Sequence, residues 1–140
     1  MRIRFEDLDV GQELPVTERV LTREDVEAYA RASGDLNPLH RDEDVARAAG
    51  FPAIVAHGML TMGTLASALV AWLGEPRALT RLKVQFRSPV FVGERIESGG
   101  SVRSLDPLTR TALLDVWVRV ERDGETAWPI RRSEAEIRLD

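Results

Sequence analysis

AAGFPAIVAHGMLTMGTLASALVAWLG, residues Ala48–Gly74, is the stretch whose reading decides the fold. It holds no Asp, Glu, Lys or Arg, in a chain of 140 residues of which 30% are charged. About eight charges would fall there at the average density. A membrane span would need roughly 20 consecutive apolar residues. This window is interrupted by Gly50, Pro52, His57, Gly58 and Gly63, and its longest run free of Gly and Pro is Thr64–Leu73. The window therefore reads as the centre of a molecule. Phe51–Ala56 is an extended apolar approach broken by Pro52, and His57-Gly58 open a helix that runs to Leu73, roughly 24 Å at about 1.5 Å per residue. Met59, Leu60, Met62, Leu65, Leu69, Val70, Trp72 and Leu73 fall on every side of it. A helix with no polar face is expected to be enclosed by protein.

Working outward, the following sequence supplies what encloses it. Arg81 to Ser88 alternates Arg81, Lys83, Gln85 and Arg87 with Leu82, Val84, Phe86 and Ser88, the period of a half-buried strand. Pro89–Val92 extends it and Gly93 ends it. Glu94–Ser104 is a weaker strand whose Gly99-Gly100 pair suggests a bulge or a tight bend. Asp106-Pro107 marks a turn. From Arg110 to Val120, Ala112, Leu114, Val116, Val118 and Val120 share one face. Asp123-Gly124 is a hairpin signal, and Thr126–Leu139 is a last strand, interrupted around Pro129. Ahead of the window, Thr17–Leu21 reads as an edge strand. Thr22 reads as an N-cap with Asp25 at N3, and Val26, Tyr29, Ala30 and Ser33 as one helix face ending at Gly34. Asp42–Ala49 is a second short helix closed by Gly50. Four antiparallel strands with one apolar face each, following one apolar helix, predict an α+β hotdog fold. In it, an antiparallel sheet wraps around a long central helix, and residues 1–140 form a single domain.

Composition narrows the function. A net charge of −4 argues against a nucleic-acid partner, which needs a basic face. With no cysteine, the chain has no disulfide framework, thiol nucleophile or thiolate metal site. Met1–Asp7 carries no apolar leader, so a cytoplasmic location is expected.

The chain has two histidines, His40 and His57. In Gly34-Asp-Leu-Asn-Pro-Leu-His40, an Asp and a His five apart on a Pro-stiffened loop can converge on one small volume. Pro38 holds Asn37 away from helical geometry. Facing each other, Asp35 and His40 could hold a water or supply an acid and a base; a turn with a surface histidine is the plainer alternative. At the start of the apolar helix the first N–H groups lack partners and carry the positive end of the dipole. Gly58 there leaves room for a ligand oxygen, as a dry oxyanion site requires, or simply permits close packing, with His57 as a cap. A metal site is not expected, since no close His-x-x-x-His or Cys pair exists. The basic face of Arg81, Lys83 and Arg87 could meet a phosphate or an acidic carrier, but reads first as a solvated sheet face.

Tyr29-Ala-Arg-Ala-Ser-Gly-Asp-Leu-Asn-Pro-Leu-His40, then Ala46, Gly50-Phe51 and Ala56-His-Gly-Met-Leu60, resemble the MaoC-like hydratase/dehydratase family. The resemblance covers roughly residues 22–73, and Phe86–Gly93 is similar to the family's strand after the central helix. Within the family, Leu60–Gly63 and Trp72–Pro76 look closest to the B-type subunit of actinobacterial (3R)-hydroxyacyl-ACP dehydratases. The resemblance implies a hotdog dimer, a homodimer or a heterodimer with a related subunit. It would act on acyl thioesters of CoA or acyl carrier protein, reversibly hydrating trans-2-enoyl to (3R)-3-hydroxyacyl thioesters, with no metal or redox cofactor. Carried over by motif, Asp35 and His40 are the catalytic pair, Asn37 belongs with the substrate-binding residues by orienting the loop and its ligands, and Gly58 N–H receives the thioester carbonyl. Met59, Met62 and Leu65 are the expected acyl-tunnel lining. Some members place a serine in the central helix where this chain has Ala66, so no serine enters the mechanism. A hotdog thioesterase and a non-catalytic substrate-binding subunit are the competing readings.

Overall fold

The computed structural model describes all 140 residues. In chain order they form β1 (Thr17–Val20), α1 (Arg23–Ser33), α2 (Glu43–Ala48), α3 (Gly58–Leu73), β2 (Leu79–Lys83), β3 (Arg95–Asp106), β4 (Thr111–Arg122) and β5 (Glu125–Arg138), with short 3₁₀ turns at Phe5–Asp7, Pro38–His40 and Pro76–Ala78. The strands make one antiparallel sheet in the order β1-β3-β4-β5-β2. It curls against α3, an α+β hotdog arrangement. No helix is long and apolar enough to cross a membrane.

Local chemistry sets the element ends. The Thr22 hydroxyl accepts from Asp25 N–H while the Asp25 carboxylate accepts from Thr22 N–H, which starts α1, and Gly34 ends it in the left-handed region. Asp42 caps α2. Helix α3 begins after His57 and stops at left-handed Gly74, the limits expected from its sequence. Asp123 and Gly124 both take positive φ in the β4–β5 hairpin, the signature of a tight primed turn.

The core is the inward face of β4 and β5 pressed on α3: Leu114, Val116, Val118, Ile130 and Ile137 against Leu65, Leu69 and Leu73, all buried. Burying side chains of this size stabilises the fold by about 1.5–3 kcal/mol each before chain entropy is counted.

Three expectations need correction. First, α3 is not enclosed on all sides: Met59, Gly63, Ser67 and Ala71, successive positions four apart, form an open stripe. The sheet covers only the opposite face of the helix. Second, the strand expected over residues 81–92 ends at Lys83, and only isolated bridges, Phe86 with Ile130 and Val55 with Phe91, continue it. Ser88-Pro89 lacks one ladder donor, and the chain leaves the sheet edge to build the wall of a cleft. Third, Gly99 and Gly100 pair in unbroken register. They are glycine because a Cβ would run into the Trp117 ring at Gly99 and the Asp115 carbonyl at Gly100. The interruption expected around Pro129 is present as a register shift between Ala127 and Ile130, and a second shift follows between Ile130 and Ser133, where Arg132 takes φ +52°.

Candidate active site

Residues 33–40 form a chain of side-chain-to-backbone bonds that fixes the loop between α1 and α2. Asp35 N–H donates to the Ser33 hydroxyl (3.1 Å), and Asn37 N–H to Asp35 Oδ1 (3.3 Å). Leu39 N–H donates to Asn37 Oδ1 (3.0 Å). Such Asx turns are what Asp and Asn bring to a loop, and Pro38 at the first turn position stiffens it. The loop is then tied to the approach strand, where Val55 N–H donates to Leu39 C=O (3.1 Å).

His40 sits at the end of this turn. Its Nδ1 lies 2.6 Å from Val55 C=O. A carbonyl only accepts, so Nδ1 carries the hydrogen and Nε2 is the atom left free in the neutral ring. Nε2 faces Asp35 Oδ2 across 3.9 Å. That is beyond a direct hydrogen bond but leaves a place for one small hydroxyl-bearing molecule bonded to both. The Asp35 side chain is 52% exposed, so the pair is open to solvent.

Behind them is His57, 2% exposed. Its Nε2–H donates to the backbone carbonyl of Asp35 (3.1 Å), and its ring stacks on His40 with centroids 3.9 Å apart. Tyr29 packs edge-on at 4.8 Å. Nδ1 is buried without a partner. Burial holds the imidazole below its ordinary pKa, as does the neighbouring His40 to a smaller degree. His57 is therefore a neutral ring that backs one member of the pair and grips the backbone of the other. Its place before the helix predicts a cap, and His57 makes no side-chain cap bond at all. The one available signal was its place directly before Gly58, where the approach strand turns into α3.

Asp35, His40 and His57 each bring a possible donor atom within 4.8 Å of the others. His57 Nε2 is committed to the Asp35 carbonyl and His40 Nδ1 to the Val55 carbonyl, and the two rings are stacked on each other. The cluster suits acid–base work better than a tetrahedral metal.

His40 lines a cleft of about 280 Å³ whose other walls include Gly58, Thr61, Phe86, Ser88 and Val90. Gly58 is the first residue of α3, so its N–H has no intrahelical partner. On the single chain it is exposed along with Met59. A Cβ at Gly58 would stand 3.3 Å from Phe86 Cε1, so the glycine keeps this end of the cleft open. Thr61, one turn on, turns its hydroxyl back to His57 C=O (3.5 Å).

The Pro89–Phe91 wall is braced from behind. Arg122 bonds Glu94 at 2.6 and 2.8 Å and donates to Pro89 C=O (3.0 Å), with its guanidinium 4.7 Å over the Phe91 ring. The Glu94 carboxylate also accepts from Phe91 N–H (2.8 Å). Sequence spacing does not reveal this brace, because Glu94 stands just before β3 and Arg122 at the end of β4, 28 residues away.

The structure thus brings Asp35, His40 and the N-terminus of α3 at Gly58 to one cleft mouth. Asn37 is spent on the loop itself. Met59, Met62 and Leu65 do not line the cleft: Met59 is 56% exposed, and Leu65 lies in the core beside a separate small void with Leu14 and Trp72.

Comparison with known proteins fits this arrangement. The family model of the MaoC-like domain matches residues 7–115. A 3-hydroxybutyryl-CoA dehydratase of Methylorubrum extorquens is 33% identical over 135 residues, covering 93% of this chain and 85% of that protein. An (R)-specific enoyl-CoA hydratase of Rhodospirillum rubrum is 32% identical over 104 residues, 74% of this chain and 72% of that protein. Among solved structures, an (R)-hydratase from A. caviae involved in PHA biosynthesis superposes with a TM-score of 0.85 at 26% identity, over 96% of this chain and 99% of that one. The chain belongs to the MaoC-like domain family.

Proposed function

We propose that this protein is a hydro-lyase that reversibly hydrates trans-2-enoyl thioesters to (3R)-3-hydroxyacyl thioesters, with Asp35 and His40 as the catalytic pair. The observation that carries this is the 3.9 Å gap between Asp35 Oδ2 and His40 Nε2, at the mouth of a cleft that also receives the free N-terminus of α3. The names of the relatives support the reaction class.

The chemistry follows from those parts. The C3 atom of an enoyl thioester becomes electrophilic when its carbonyl oxygen accepts charge. The Gly58 N–H, at the positive end of α3, offers a donor to that oxygen as the enolate forms. A water held between Asp35 and His40 attacks C3. One of its O–H bonds breaks as the C3–O bond forms, and a proton returned by the pair closes a C–H bond at C2. The pair ends as it began. In dehydration the same groups remove the C2 proton and protonate the departing hydroxyl. His40 suits this because its Nδ1–H is pinned to Val55, so only Nε2 takes up and gives back the proton. Asn37 acts through the loop, fixing the turn that separates Asp35 from His40. The open stripe on α3 supports a dimer, in which a second copy of this chain covers Met59, Gly63, Ser67 and Ala71.

Incubation with crotonyl-CoA, following enoyl absorbance and free thiol together, tests the reading. Loss of absorbance without thiol is expected. Thiol release would make the protein a thioesterase, and no reaction with short or long acyl chains would make it a binding subunit.

A further inference from the structure

Eleven of the eighteen arginines are ion-paired with a carboxylate; Lys83, Arg87 and Arg132 are among the cations that are not, and they stand close together. These three share one surface. Arg87 stands on the wall of the cleft. Its guanidinium donates to Gln85 Oε1 (2.8 Å). Gln85, Lys83 and Arg132 in turn line a second recess of about 420 Å³, completed by Val84 and Glu134. The only carboxylate in that recess is already engaged: Glu134 Oε1 is 3.3 Å from Arg81 and Oε2 is 2.9 Å from Arg103. The recess therefore presents two uncompensated cations, in a chain whose net charge is −4.

The backbone is shaped to hold them there. Between Val116–Val118 on β4 the partner residues on β5 are Ser133 and Ile130, so β5 carries an extra residue across that interval. Arg132 occupies this bulge in the left-handed region, φ +52°, a conformation that is costly for a side-chain-bearing residue. Gln85 N–H bonds the Ser133 hydroxyl (2.8 Å), which locks the segment carrying Lys83 and Gln85 against the bulge. Arg87 N–H does the same at Pro129 C=O (2.9 Å). The recess and the cleft are consecutive places along the same pair of segments.

We propose that this recess binds the phosphate of the pantetheine arm that carries the acyl thioester. Lys83 and Arg132 hold that phosphate, and Arg87 flanks the arm as it runs toward the cleft. The proposal rests on the thioester reading above and adds the group that recognises the carrier. A guanidinium and an ammonium on neighbouring segments match a phosphate through charge-assisted hydrogen bonds. The same chemistry serves CoA and a carrier protein's phosphopantetheine.

The test compares CoA, 4′-phosphopantetheine and pantetheine as ligands, by titration calorimetry, on the wild type and on a Lys83→Ala/Arg132→Gly double variant. Both side chains are exposed, and glycine suits the φ of position 132, so the variant is expected to keep its melting temperature. The wild type should bind the two phosphate-bearing ligands at least tenfold more tightly than pantetheine, an advantage that shrinks with added salt. The double variant should lose about tenfold in affinity for both and none for pantetheine. Equal binding of CoA and phosphopantetheine would assign the recess to the phosphate of the arm alone; tighter CoA would add the nucleotide phosphates. Unchanged CoA affinity in the variant, or no preference for phosphate in the wild type, would overturn the proposal. A protein that binds CoA through Lys83 and Arg132 but consumes neither crotonyl-CoA nor crotonyl-pantetheine would refute the hydro-lyase reading and leave the recess standing.

Discussion

Gly58→Ala separates a packing role from a chemical one, because the two predict opposite signs. In stability terms the change is mild. Gly58 does not need a positive φ, and replacing a helical glycine by alanine where the backbone allows it stabilises by about 0.4–1 kcal/mol. The new Cβ would stand 3.3 and 3.4 Å from two atoms of the Phe86 ring. Phe86 is 49% exposed, so its ring yields by a few tenths of an ångström at little cost. The melting temperature should therefore stay level or rise by up to about 4 °C. Activity should move the other way. The methyl group intrudes where a thioester oxygen must approach the first N–H of α3, and losing one such donor typically costs about 10²–10³ in rate. Thermal denaturation alongside steady-state hydration of crotonyl-CoA reads both quantities. A variant as active as the wild type would remove Gly58 from the chemistry. Activity and melting temperature falling together would show that the glycine serves only packing.

Other expectations follow from the same contacts. His57 is held neutral by burial, so its folded-state pKa lies below the ordinary value of 6.5. The unfolded chain then binds a proton first, and this contribution to stability is full above about pH 6.5 and is lost as pH falls through the folded value. His57→Gln should flatten that acid-side decline in chemical-denaturation midpoints; an unchanged pH profile would contradict it. Arg122→Ala leaves the half-buried Glu94 carboxylate unpaired and frees Pro89 C=O, at a cost of about 1–3 kcal/mol. It should raise KM more than it lowers kcat, and Arg122→Lys should recover little of the bidentate grip. Leu65→Ala, in the core and not in the cleft, should cost about 2–5 kcal/mol in urea denaturation without altering acyl-chain preference.

What was legible in the sequence was local. The Thr22/Asp25 box, the glycine at position 34 and the His57-Gly58 entry to α3 are decided by neighbours within four residues, and each stands where it was expected. The alternation of β4 is legible for the same reason: one face must meet the core. Legibility fails where distant segments decide. Residues 81–88 alternate like a strand that 89–92 would extend, but beyond Lys83 the path is set by Arg122, Glu94 and the Pro129 carbonyl. Gly99 and Gly100 answer to Trp117 and Asp115 across the sheet, not to their own turn preference. At the site, the loop spacing suggested that Asp35 and His40 could meet, and they do. The buried His57 behind them depends on a fold-level juxtaposition that no spacing reveals.

The pair itself is open to direct test through Asp35→Asn and His40→Ala, assayed for hydration of crotonyl-CoA beside their thermal denaturation. Asp35 is half exposed and Asn keeps its loop bonds, so the fold should be unaffected. Each variant is expected to lose about 10²–10⁴-fold in kcat. Near-normal turnover in either variant, with the fold intact, would contradict the assignment of the catalytic pair.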